Sequence, residues 1–66
     1  MSQITVNGRS RPCTANTVTE LLEQLQLSAN QVAVELNGAI VTRQDFVTTP
    51  LATGDRLEIV RFVGGG

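Results

Sequence analysis

The stretch TVTELLEQLQ, residues 17–26, decides how the rest of this chain is read. Thr17 and Glu20 stand at the spacing of a capping box, in which a threonine hydroxyl and a glutamate carboxylate take up each other's orphan backbone donors at a helix start. Val18, Leu21, Leu22 and Leu25 then recur at i, i+3, i+4 and i+7, leaving Glu20, Glu23, Gln24 and Gln26 for water. The spacing predicts one amphipathic helix that ends near Gln26 or Leu27, before Ser28-Ala29-Asn30.

On either side of that helix lies the same signal. Asn7-Gly8 and Asn37-Gly38 supply the positive φ that both centres of a type I′ hairpin turn require. The first turn joins residues 3–6 to residues 9–14, and Pro12, with no backbone N–H to give, assigns that second strand to a sheet edge. The second joins Val32, Val34 and Leu36, which alternate with Ala33 and Glu35, to Ala39-Ile40-Val41. Residues 42–53 lose the pattern, with Phe46, Val47 and Leu51 as candidate anchors and Pro50 opposing a regular helix. Gly54-Asp55 turns the chain into a last strand over residues 56–63.

Two hairpins and a final strand can bury their apolar face only against the single helix, which predicts a two-layer α+β roll of four to five strands. The first and last strands are expected to pair in parallel at its centre. In the last strand Leu57 and Ile59 alternate inward, whereas Val60 and Phe62 fall on the opposite parity. Either a bulge returns them to the core, or an apolar pair stands on the outer face beside the end of the sequence.

The inventory excludes much chemistry. Of the 66 residues none is His, Lys, Tyr or Trp, which removes an imidazole base, a Schiff-base lysine and a P-loop lysine. A domain this short buries only roughly 60% of its unfolded surface, which leaves little room for an enclosed active site. No intrinsic catalytic residue, bound cofactor or metal site is expected. Net charge of −1, with five arginines spread along the chain and no interleaved aromatics, gives no basic track for nucleic acid and no polybasic helix for a membrane. No segment reads as a signal peptide or membrane helix, so the expectation is a soluble, cytoplasmic protein. Cys13 has no partner for an internal disulfide; core packing is the plain reading and a persulfide site the sharper one, although no cationic neighbour or helix N-terminus in the sequence would activate it.

The sequence closes on Val63-Gly64-Gly65-Gly66. Glycine runs weaken what they extend, so stability does not explain them. A frayed end or an expression remnant is one reading. A terminus that must thread into another protein is the other.

Taken together, Val6-Asn7-Gly8, Thr17-Val18 before Leu21-Leu22, Val32-Ala33-Val34, Asn37-Gly38, Ile40-Val41, Arg43, Gly54-Asp55, Glu58-Ile59-Val60 and the glycine end resemble the sulfur-carrier family of thiamin (thiazole) biosynthesis. The resemblance spans essentially the whole chain; Phe46 departs from it, where relatives often carry a larger aromatic. It implies the ubiquitin-like β-grasp fold over residues 1–63, with a flexible glycine tail over residues 64–66. It also implies a protein co-substrate and not an enzyme. Gly66, preceded by Gly65, would be the sulfur-carrying terminus: an E1-like activating enzyme spends ATP to adenylate its carboxylate, sulfur from a donor such as a cysteine desulfurase system makes a C-terminal thiocarboxylate (1-thioglycine), and thiazole synthase receives the sulfur. Val60, Phe62, Val63 and Gly64 are the expected partner-binding residues. Two other readings stay open, a carrier of the molybdopterin-synthase type and a ubiquitin-like modifier or interaction module.

Overall fold

The computed structural model describes residues 2–62; Met1 and residues 63–66 lie outside the described part. Among the described residues five strands and one α-helix form two layers. Strand β1 (Ser2–Val6) turns through Asn7-Gly8 into β2 (Arg9–Cys13), the helix α1 (Val18–Gln24) crosses over, and β3 (Val32–Leu36) turns through Asn37-Gly38 into β4 (Ala39–Val41). Strand β5 (Arg56–Arg61) closes the sheet. The spatial order is β2-β1-β5-β3-β4. β5 runs parallel to β1 and antiparallel to β3, which makes this the mixed β-grasp sheet the sequence predicts.

Both turns follow from their residues. Asn7 and Asn37 take φ of 51° and 53°, and the glycines after them 83° and 86°, the left-handed pair that lets two twisted strands reverse in two residues. Pro12 lies on β2, an edge strand, and pairs there with Gln3. Each turn asparagine also reaches into β5. Asn37 donates its backbone N–H to Arg56 O at 2.7 Å, accepts from Arg56 N through Oδ1 at 2.9 Å, and donates through Nδ2 to Asp55 Oδ1 at 3.1 Å. The second hairpin is thereby locked to the strand that leads to residues 63–66.

The helix starts as its capping residues require, with Thr17 Oγ1 accepting from Glu20 N at 3.2 Å. The reciprocal bond is shifted by one residue, because the Glu20 carboxylate accepts from Asn16 N at 2.9 Å. The helix stops at Gln24, earlier than its apolar spacing suggests. Gln26 adopts φ of 60°, its N–H bonds Glu23 O, and Leu27 N–H bonds Leu22 O at 2.9 Å. These two bonds make a Schellman ending, with glutamine at the left-handed position that glycine ordinarily fills.

Val18, Leu21 and Leu22 are buried against Ile4, Val6, Val34, Leu57 and Ile59 from the inner face of the sheet. Cys13 is buried in the same cluster and its thiol approaches Ala15 O at 3.5 Å, so its environment is that of a packed core residue. The irregular segment after β4 opens with a 3-10 turn at Arg43–Asp45 and inserts Phe46, 2% exposed, into the core, with Leu51 packed at its margin. Val47 departs from its expected role as an anchor. It is 63% exposed, because adjacent side chains leave the chain in different directions and Phe46 takes the inward one.

Candidate functional site

β5 decides which of the candidate residues face outward. Its register with β3 runs unbroken from Val32↔Arg61 through Ala33↔Val60, Val34↔Ile59 and Glu35↔Glu58 to Leu36↔Leu57. One residue opposes one throughout, so there is no bulge and the period of two holds. Leu57 and Ile59 go to the core, and Val60 goes to the outer face. Val60 and Phe62 are each 58% exposed, which joins the two partner-binding candidates of the described part beside the end of the strand. The other expected site residues, Val63, Gly64, Gly65 and Gly66, lie outside the described residues.

Phe62 is tied down at the point where the described chain ends. Its N–H donates to Gln31 O at 2.8 Å, past the last residue of β5, so the sheet carries its pairing one step toward residue 63.

The same face holds residues that the sequence reading did not single out. Ile40 on β4 is 69% exposed and pairs with Glu35, which pairs in turn with Glu58 on β5. Placing two carboxylates directly across a strand pair is unfavourable for the isolated sheet. The outer surface over β4, β3 and β5 thus sets Ile40 and Val60 around a pair of acids. The strand Ala39-Ile40-Val41 was visible in the sequence as the return of a hairpin, but its neighbours across the sheet depend on register and were not. An open hollow of about 530 Å³ lies over this surface toward the turns, with Thr5, Glu35, Arg56 and Glu58 among its lining residues.

Among the described residues there is no group of three or more His, Cys, Asp or Glu side chains able to hold a metal, and no helix long and apolar enough to cross a membrane. The arrangement leaves Ile40, Val60 and Phe62 exposed on one face, with Phe62 held by Gln31 O at the end of the described chain.

Comparison with known proteins agrees in sequence and in shape. The ThiS family matches residues 4–66. The sulfur carrier protein ThiS of Thermus thermophilus is 34% identical over 61 residues, covering 92% of this chain and 95% of that protein. A thiazole synthase of Paramagnetospirillum magneticum is 40% identical over 65 residues, 97% of this chain but 20% of that protein, so the chain spans about a fifth of the thiazole synthases that it matches. The crystal structure of the thiamine biosynthesis protein ThiS from Geobacter metallireducens superposes with a TM-score of 0.81 at 40% identity, covering 97% of this chain and 99% of that one.

Proposed function

The chain belongs to the ThiS family, and from that premise we propose that it is a sulfur carrier of thiamin biosynthesis, a protein consumed and regenerated by partner enzymes. The observation that carries this reading is the family match, which continues through Gly65 and Gly66. Gly66 bears the reacting carboxylate. A carboxylate resists nucleophiles because its charge repels them, so an E1-like activating enzyme joins it to the AMP part of ATP and releases pyrophosphate. A hydrosulfide equivalent, supplied by a cysteine desulfurase system, then displaces AMP and leaves the C-terminal thiocarboxylate. ATP and any metal belong to that enzyme.

The glycines suit this task. With no Cβ they enter a narrow channel and accept dihedrals that other residues refuse, so one tail serves two successive sites. Ordering a chain segment in a partner's site costs roughly 1–2 kcal/mol per residue, and contacts elsewhere must offset it. Val60, Phe62 and the adjoining Val63 and Gly64 supply those contacts, with Ile40 extending the apolar area. Thiazole synthase is the acceptor of the sulfur. That assignment is supported by the thiazole synthases in which a segment like this chain makes up a fifth of the protein. The cytoplasm, where these enzymes and ATP meet, is the proposed location.

Pyrophosphate release by the activating enzyme tests the reading. It is expected to depend on this chain and to stop when Gly66 is deleted; equal release with the truncated chain refutes a role for the terminal carboxylate.

A further inference from the structure

At the end of the sheet where β5 gives onto residue 63, an open groove of about 380 Å³ runs between the 3-10 turn Ala29–Gln31, the end of β4 and Phe62. Ala33, Val41 and Phe62 contribute to its apolar lining, and Arg43 and Asn30 are its polar members. Arg43 Nη1 donates to Asn30 Oδ1, which places the guanidinium at the rim of the groove. That acceptor is a neutral amide, so the contact leaves the positive charge uncompensated, and the remaining N–H groups of the fork can serve a further acceptor. The nearest acid in sequence, Asp45, accepts from Thr42 Oγ1 at 2.9 Å instead. Arg61, paired across the strands with Val32, adds a second positive charge at this end of the molecule. A partly apolar hollow with an arginine at its rim suits a large apolar side chain with a carboxylate beside it.

The geometry points to a docking site for the activating enzyme in this groove, which receives an apolar side chain of that enzyme while an adjacent carboxylate takes the free edge of Arg43. This inference rests on the sulfur-carrier reading. It adds a second anchor to the outer face: Phe62 lines the groove, and its N–H is held by Gln31 O at the end of the described chain. The site requires arginine and not merely positive charge, because the planar fork is held on one side by Asn30 and offers its other edge to both carboxylate oxygens.

The test measures the activating enzyme's KM for this chain in ATP–pyrophosphate exchange, with wild type, Arg43→Glu, Arg43→Lys and Ala29→Trp, the last of which fills the groove without touching the charge. Melting curves of each variant accompany it, and Ala29→Trp keeps the test decisive if Arg43→Glu does not fold. The expected result is a KM raised by about tenfold for Arg43→Glu and Ala29→Trp and less for Arg43→Lys, with kcat kept. Folded variants with wild-type KM overturn the groove site and leave the carrier reading standing. A lowered KM also overturns it, by making the chain's own residues 63–66 the occupant. No exchange with wild type refutes the carrier reading itself and the groove's partner with it.

Discussion

Ile59 donates its backbone N–H to Asn7 Oδ1 at 2.7 Å and accepts from Asn7 Nδ2 at 3.0 Å. The two residues are 52 apart in sequence. The backbone ladder between β1 and β5 ends with Val6 opposite Leu57, and Asn7 N–H reaches Leu57 O at 2.9 Å. From there the main chain turns away, and the side-chain amide takes its place. One asparagine therefore supplies a turn dihedral and the next rung of the central parallel pair.

Replacing Asn7 with glycine separates those roles, since glycine keeps the positive φ and removes only the amide. Ile59 N–H and C=O are then left without these partners in a partly buried position, at a cost of about 1–3 kcal/mol. Asn37→Gly, on the exposed turn where water can substitute, costs less. Urea unfolding of the two variants checks the order, and equal losses contradict it.

The glutamine at the left-handed helix ending predicts a gain. Gln26→Gly relieves a backbone conformation that side chains disfavour, at an exposed site where no packing is lost. Stability is expected to rise by about 0.5–1 kcal/mol, read as a higher urea midpoint with an unchanged slope.

Phe46 and Val47 are adjacent and opposite in consequence. Phe46→Ala empties a core site and costs about 3–5 kcal/mol, a large share of the total of roughly 3–10 kcal/mol that a domain of this size commands. Val47→Ala, on the exposed neighbour, stays within about 0.5 kcal/mol. Thermal melts of both decide whether Phe46 is the anchor of the segment.

The outer face separates stability from the proposed function. Val60→Ser and Phe62→Ser alter side chains that are more exposed than buried, so folding changes by no more than about 0.5–1 kcal/mol. Binding of the activating enzyme, measured by calorimetry, is expected to weaken about tenfold for each. Undiminished affinity in both removes this face from the account.

The elements that local chemistry dictates were legible in the sequence. Asn-Gly pairs, the period of the helix and Pro12 each act over a few residues, and together they sufficed for two hairpins, the helix between them and the edge position of β2, whereas the β-grasp arrangement also drew on the family resemblance. The helix ending was not legible, because Gln26 carries no sign of a left-handed conformation that only its Schellman bonds impose. The fate of Val60 and Phe62 was undecided for a different reason: alternation gives parity, whereas the absence of a bulge depends on the register with β3. The clamp from Asn7 to Ile59, the opposition of Glu35 and Glu58 and the bracing of Arg43 by Asn30 join residues distant in sequence, and no local pattern announces them.

The measurement that bears most directly on the carrier reading is the mass of the C-terminal peptide after incubation with the activating enzyme, ATP and a sulfur source, beside a control without ATP. Mapping the peptide separates Gly66 from oxidation at Met1 or Cys13, which changes the intact mass almost equally. An ATP-dependent exchange of one oxygen for sulfur at Gly66 is the predicted result. An unchanged carboxylate, in a mixture that converts a known carrier, contradicts it.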